Sequence, residues 1–215
     1  MRNLMAALAA AALLGGCAAT SGGPPERTAP VQRAAYAQSG PSSLTLYTVI
    51  NNRSGAGAHT GLLINASQRV LWDPAGSFYH PDAPERGDVL YGFTPQIELV
   101  YEDYHARETF RIVEQTVEVA PEIAEQALRL AMGKGAASRS TCSLSTTSIL
   151  RQLPGFEAIG SSWFPKVTMA RFGALDGVTQ KVITDDDADA NHGVLIRAER
   201  RNVPKVPPPQ LQDSR

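Results

Sequence analysis

Cysteine is scarce in this chain, since only Cys17 and Cys142 occur among its 215 residues. A scaffold held by several disulfides is therefore excluded, and at most one intramolecular bridge can form. The chain also lacks an excess of charge of either sign, because 20 lysines and arginines stand against 21 aspartates and glutamates. Proteins that bind nucleic acid usually carry a basic surplus, so we expect no nucleic-acid partner.

An apolar run long enough to span a bilayer is missing from the N-terminus. Residues 1–16 begin with Arg2, continue through about ten apolar residues and end in two glycines. This is the pattern of a secretory signal peptide, and it is shorter than the roughly 20 residues that a membrane span needs. The sequence therefore predicts export from the cytoplasm.

Residues 14–17, Leu-Gly-Gly-Cys, resemble the lipobox of bacterial lipoproteins. The resemblance implies cleavage before Cys17, diacylation of its sulfur and anchoring by acyl chains. Ala18 follows where an inner-membrane retention signal would more often have Asp, which favours the outer membrane, with the protein facing the periplasm. The alternative is an ordinary signal peptide cut near Ala18 or Ala19, which would release a periplasmic protein without lipid.

Two biased segments flank a central region. Residues 17–43 are mostly Ala, Ser, Gly, Pro and Arg, so we expect the lipidated cysteine to be followed by a flexible tether. Residues 198–215 form a proline-rich basic tail that we expect to be extended and solvated, with contact to anionic lipid as the alternative. The intervening residues 44–197 are long enough for one α+β domain.

Local patterns predict the elements of this domain. Short β-branched and aliphatic runs separated by Asn, Gly and Ser are typical of antiparallel hairpins, and Pro followed by acidic residues is typical of a helix start. Residues 77–109 form an aromatic and acidic insertion with no assignment. The predicted strands are 44–50, 58–64, 69–73, 110–119 and 194–196, and the predicted helices are 121–133, 142–152 and 165–172.

Cys142 is the candidate nucleophile. If Cys17 is lipidated, Cys142 is the only free thiol of a protein in an oxidising compartment. Ser140 and Thr141 are of the residue types that cap helices, so we expect Cys142 in the first helical turn. There the free N–H groups and the helix dipole favour a thiolate. The alternative is a small buried hydrophobic residue, a common role of free cysteine.

A cysteine nucleophile needs a base, and His59 is the candidate because it alone of the four histidines lies in a predicted strand. If 65–67 forms a three-residue hairpin loop, Asp73 lies directly opposite His59 on the same face and can orient the imidazole. The alternative is an exposed strand histidine and an unrelated turn aspartate. The other histidines are His80, His105 and His192.

His80 and His105 lie among tyrosines and acidic residues of the insertion. We interpret their surroundings as a surface loop and an amphipathic helix, with a cation or sugar site as the alternative. His59, Asp73 and Cys142 are all of the types that bind zinc, but no fourth ligand is evident, so we expect neither a metal nor a cofactor.

The order of the candidate residues resembles that of the circularly permuted branch of the NlpC/P60 papain-like superfamily. His59 lies in Ala-His-Thr-Gly-Leu-Leu-Ile, Asp73 ends Val-Leu-Trp-Asp, and Cys142 opens a helix. In ordinary papain-like enzymes the cysteine helix comes before the histidine strand, whereas the permuted branch has the order found here. The resemblance implies a small antiparallel sheet packed against helices, the cysteine helix included. It makes Cys142 the nucleophile, His59 the general base and Asp73 the orienting acid.

The resemblance also implies a function. The expected activity is that of a thiol hydrolase, such as a cysteine peptidase or amidase, or of an acyltransferase, acting on an amide or ester. Location in the envelope favours peptidoglycan peptides or envelope lipids as substrates. The rival hypothesis is a non-catalytic outer-membrane lipoprotein that uses the same fold as a binding module.

Overall fold

The computed structural model describes Val31 and residues 34–191. These residues form seven strands, four α-helices and two short 3₁₀ turns at Glu157–Ile159 and Asp189–Asn191. The strands are β1 (Ser43–Asn51), β2 (Gly57–Asn65), β3 (Arg69–Trp72), β4 (Glu85–Arg86), β5 (Val89–Leu90), β6 (Phe110–Glu118) and β7 (Thr179–Ile183). The helices are α1 (Pro95–His105), α2 (Pro121–Lys134), α3 (Cys142–Leu150) and α4 (Pro165–Phe172).

All seven strands belong to one antiparallel sheet, in the order β4-β5-β3-β2-β1-β6-β7. The predicted α+β class with an antiparallel sheet is therefore confirmed. Strands β1, β2, β3 and β6 agree with their predicted ranges to within one residue at each end, and α4 agrees with its range at both ends.

The insertion at residues 77–109 is an integral part of the fold. It contains the two-residue strands β4 and β5 and the whole of α1. Helix α1 begins at Pro95, whose missing N–H costs nothing at a first helical position, and the Thr94 side chain accepts a hydrogen bond from the Ile97 N–H at 3.3 Å.

The last strand of the described chain also differs from the prediction. Strand β7 pairs with β6 at the edge of the sheet and is mostly exposed, so it lacks the alternation that would have revealed it. The strand predicted at 194–196 lies outside the described residues, as do the signal peptide, Cys17 and the tail 198–215.

The sheet has two differently covered faces. Leu62 and Ile64 of β2 pack in one core with residues of α2, α3 and α4. Leu63, which points to the opposite face, packs in a second core with residues of α1. Because side chains alternate along a strand, His59 and Gly61 lie on the same face as Leu63, which is the face that α1 covers.

Part of the expected tether contacts the domain. The Tyr36 carbonyl accepts a hydrogen bond from the Arg69 N–H at 2.7 Å, and the Pro41 carbonyl accepts one from the Asn65 side chain at 3.0 Å. None of the helices in the described part of the chain is both long enough and apolar enough to cross a bilayer.

Candidate active site

The imidazole of His59 and the carboxylate of Asp73 are hydrogen-bonded. His59 Nε2 lies 2.6 Å from Asp73 Oδ1, and the two side chains are only 15% and 2% exposed. With Nε2 engaged in this way, Nδ1 is the ring nitrogen that remains for another partner. A carboxylate in this position fixes the ring orientation and stabilises its protonated form.

The register that brings them together differs from the predicted one. Strand β2 pairs with β3 so that Leu62 lies opposite Trp72, and the hairpin loop comprises residues 66–68 rather than 65–67. Continued by one residue, this register sets Asp73 opposite Gly61 and not opposite His59. The error is two residues, which leaves the side chains on the predicted face, and the contact is a diagonal one.

Gly61 leaves the space in which this cluster packs. A Cβ atom at position 61 would lie 2.7 Å from the hydroxyl oxygen of Tyr101 and 3.5 Å from Asp73 Oδ1. The Tyr101 hydroxyl itself donates a hydrogen bond to Asp73 Oδ1 at 3.2 Å, and the tyrosine is fully buried. Tyr101 is therefore a member of the site that sequence patterns did not identify.

Asp88 ties two loops of the site together. Its Oδ2 accepts hydrogen bonds from the N–H groups of Ala75, at 2.8 Å, and Ala137, at 2.7 Å. Its carbonyl accepts from the N–H of Asp73 at 2.9 Å. One buried carboxylate thus fixes both the turn that follows Asp73 and the segment that leads to Cys142.

Cys142 is the first residue of α3 and is 9% exposed. The expected side-chain cap is absent at this helix, because the Thr141 hydroxyl donates to the Ser138 carbonyl at 2.6 Å. The backbone N–H groups of Ser143 and Thr60 are instead hydrogen-bond partners of the Cys142 sulfur. An uncapped helix start therefore stabilises negative charge on this thiol.

The electrostatics of the thiol and the imidazole favour opposite charges. Burial raises the pKa of Cys142, but the hydrogen bond and the charge of His59 lower it, and the net pKa is below the ordinary value. Burial lowers the pKa of His59, but the carboxylate of Asp73 and, to a smaller extent, Cys142 more than compensate and raise it to about 10. The imidazolium and the thiolate therefore stabilise each other, and His59 carries its charge at neutral pH.

The Asp73 carboxylate stays ionised in this environment. Burial raises the pKa of Asp73, whereas the His59 charge and hydrogen bond, with a further hydrogen bond from Tyr101, bring the pKa below its ordinary value. The negative charge that stabilises the His59 imidazolium is thus present across the neutral range.

His105 is a buried neighbour of the candidate base. Its ring is parallel to that of His59 within 5°, with the two centroids 5.8 Å apart, and its Nδ1 lies 3.0 Å from the Tyr101 carbonyl. The interpretation of His80 as part of a surface loop was wrong, because His80 is only 1% exposed. The amphipathic helix expected near His105 is α1, and His105 lies on its buried face at 7% exposure. Helix α1 turns its histidine inward, onto the sheet. His192 lies outside the described residues.

Burial also keeps His105 neutral. It lowers the pKa of His105 to about 4, and the positive charge of His59 acts in the same direction against the opposing effect of Asp73. One charged and one neutral imidazole therefore lie side by side.

The geometry does not suit a zinc ion held by His59 and Asp73. Two zinc ligands at tetrahedral positions lie about 3.3 Å apart, whereas His59 Nε2 and Asp73 Oδ1 are 2.6 Å apart. That approach is typical of a charge-assisted hydrogen bond.

A cavity of about 230 Å³ opens next to His59. Its walls include the turn 75–77 and the side chains of Tyr104, His105 and Arg107. The cavity offers room for part of a small ligand against the imidazole.

Comparison of the chain with protein-family models, with curated proteins and with solved structures gives no match in any of the three.

Proposed function

We propose that this protein is a cysteine-nucleophile hydrolase or acyltransferase acting on an amide or an ester. The observation that carries the proposal is the meeting of Cys142, His59 and Asp73, which come from the start of α3, from β2 and from the residue after β3. A thiol beside a charged imidazole that is oriented by a buried carboxylate is the arrangement that activates a nucleophile.

In the proposed reaction, the Cys142 thiolate attacks the carbonyl carbon of the substrate. The first-turn N–H groups of α3 are donors for the negative oxygen of the tetrahedral intermediate. His59 gives its proton to the leaving amine or alcohol as the carbonyl re-forms, which leaves an acyl-enzyme and a neutral imidazole. His59 then takes a proton from water or from an acceptor, whose oxygen or nitrogen attacks the thioester and restores the thiolate.

Membership of the circularly permuted NlpC/P60 branch is part of this proposal. The chain order of His59, Asp73 and Cys142 supports it, as does the packing of α3 against the strand that carries the histidine. The lipobox-like residues 14–17 support attachment to the outer membrane through Cys17. Peptidoglycan peptides and envelope lipids are the substrate classes that fit such a location.

Reactivity of the thiol tests the proposal. A free cysteine with a pKa of about 8.5 is less than about 1% ionised at pH 6, whereas an activated one is largely ionised. We expect Cys142 of the purified protein to react rapidly with iodoacetamide at pH 6, and His59→Ala to abolish most of that reaction. If Cys142 titrates near 8.5 and is indifferent to His59→Ala, the catalytic proposal fails and the binding module takes its place.

A further inference from the structure

The cavity beside His59 contains a fixed positive charge. Arg107 lines it, with its Nη1 donating to the Tyr104 carbonyl at 3.1 Å. The guanidinium lies over two aromatic rings, 5.9 Å from the ring centre of Tyr104 and 5.3 Å from that of Phe110. These contacts hold the side chain in one place, although 21% of it remains exposed. Preorganisation of this kind reduces the entropic cost of binding a ligand.

Arg107 forms a loose ion pair within the described part of the chain. Asp189 is its acidic neighbour, but Arg107 Nε lies 3.6 Å from Asp189 Oδ1, beyond hydrogen-bond distance. The Asp189 carboxylate accepts hydrogen bonds from the N–H and the hydroxyl of Thr109 instead. Arg107 Nε is buried and has no hydrogen-bond acceptor among the described residues.

The cavity wall favours an anion. Among the described residues that line it, none is acidic. The wall also presents the hydroxyl groups of Ser77 and Tyr104, whose oxygens are 2.9 Å apart. With His59 charged at neutral pH, two cations and two hydroxyl groups border one small space, while the carboxylates paired with them, Asp73 and Asp189, are not among the residues that line it.

We infer that this cavity is a subsite for a carboxylate group of the substrate, with Arg107 as the residue that binds it. The planar guanidinium matches a carboxylate in two parallel hydrogen bonds, which a lysine cannot reproduce. The inference rests on the proposed function and narrows it, because the substrate becomes an amide or ester that carries a free carboxylate near the bond to be cleaved.

Alkylating reagents of matched size test the subsite. N-iodoacetylglycine and N-iodoacetyl-γ-aminobutyrate carry a carboxylate at two distances from the reactive carbon, and their primary amides are the uncharged counterparts. The quantity measured is the ratio of acid to amide rate constants for Cys142 at pH 6. We expect the ratio to exceed one for at least one pair and to fall about tenfold or more in Arg107→Gln, as expected for loss of a hydrogen bond between charged groups. Arg107→Lys should restore part of the ratio.

Arg53→Gln is the matched control. Arg53 is exposed in the turn between β1 and β2 and is not among the residues that line the cavity. The control removes the same formal charge, but at a position outside the cavity. Its acid-to-amide ratio should therefore equal that of the wild-type protein. A fall in the ratio with Arg53→Gln as large as that with Arg107→Gln would mean that overall charge, and not a subsite, sets the preference.

The outcomes separate the two proposals. Rapid reaction with the uncharged reagents together with an acid-to-amide ratio that Arg107→Gln does not change would overturn the carboxylate subsite and leave the nucleophile in place. An equal fall of both rate constants in Arg107→Gln leaves the ratio unchanged and also overturns the subsite. If none of the reagents modifies Cys142 faster than an ordinary thiol, the proposed function itself fails.

Discussion

Tyr101 and His59 share one oxygen of Asp73, because the tyrosine hydroxyl and the His59 Nε2 both contact Oδ1, at 3.2 Å and 2.6 Å. The tyrosine belongs to α1 and the histidine to β2, so one carboxylate oxygen connects the helix to the sheet. Removal of either partner should therefore change the other contact.

Tyr101→Phe should slow the alkylation of Cys142 without abolishing it. The change removes one buried hydrogen bond to a charged carboxylate, worth about 1.5–3 kcal/mol, and leaves the ring packing intact. We expect the rate of Cys142 alkylation at pH 6 to fall up to about tenfold. Tyr91→Phe is the control, because Tyr91 is a buried tyrosine of the other core, and it should leave the rate within error of the wild-type value. Equal rates in all three proteins would contradict the orienting role of Tyr101.

Gly61→Ala should disturb the same cluster by steric means. The new Cβ would meet the Tyr101 hydroxyl at 2.7 Å, and the tyrosine is fully buried and cannot swing into solvent. We expect a loss of about 1–3 kcal/mol in the free energy of unfolding, measured by urea denaturation, together with slower alkylation of Cys142.

Gly133→Ala provides the comparison for that variant. It lies in α2, where a Cβ has nothing within 4 Å, so alanine should stabilise the helix by up to about 1 kcal/mol. A Gly61→Ala protein as stable and as reactive as the wild type would mean that the site tolerates displacement of Tyr101.

Asp73→Asn should affect the reaction less than His59→Ala at pH 6, since the imidazole and the helix start both remain. Its clearest effect should appear at high pH. The Asp73 carboxylate contributes most to raising the pKa of His59 to about 10, ahead of Cys142, so its removal should move the loss of the imidazolium to lower pH. The measurement is the chemical shift of the His59 ring protons against pH in the two proteins. An unchanged His59 titration would show that Asp73 does not stabilise the imidazolium.

His105 should make the folded protein less stable in acid. Its pKa is about 4 when folded and about 6.5 when unfolded, so the unfolded chain binds more protons between these values. Stability should therefore fall as pH drops from 6.5 to 4, by at most about 3 kcal/mol from this residue. Well below pH 6.5 His59 is protonated in both states and contributes no slope. Its stabilising contribution is instead lost as pH rises through 6.5 towards about 10.

The variant His105→Phe tests this assignment. Urea denaturation at pH 4.5, 5.5 and 6.5 should give a shallower dependence of the unfolding free energy on pH than in the wild type. Parallel curves for the two proteins would assign the acid sensitivity to other groups.

Much of the sheet could be predicted from sequence because its strands carry local signals. Strands β1 and β2 are aliphatic and are bounded by Asn, Gly and Ser, and β6 alternates, so each was assigned within a residue of its true bounds. Helix α1 is anticipated only as an amphipathic helix near His105 with no bounds, although its buried residues Ile97, Val100, Tyr101 and His105 follow the i, i+3, i+4, i+8 spacing of a helix.

The residues of the candidate site also divide into those that local sequence predicts and those that it does not. The same face for His59 and Asp73 follows from strand parity, which survives a register error of two residues. The roles of Tyr101 and Asp88 depend on contacts with Asp73 and with Ala137, which are 28 and 49 positions away from them in the chain. Local pattern carries no information about such pairs, since they form only when distant elements pack.

Asp88 joins two loops of the site, the turn after Asp73 and the segment before Cys142. The position of Asp88 itself depends on the shortest strands of the sheet. Asp88 precedes β5, and β5 and its partner β4 are two-residue strands at the sheet margin, with few backbone hydrogen bonds to resist opening. Fraying of this margin would release Ala75 and Ala137 together and would withdraw Val89 from one hydrophobic core and Leu90 from the other, while the helices keep the rest of both cores packed. Heating should therefore abolish thiol reactivity several degrees below the temperature at which the far-ultraviolet circular dichroism is lost. The amide of Asp73, bonded to the Asp88 carbonyl, should exchange with solvent deuterium earlier than the amides in the middle of β1.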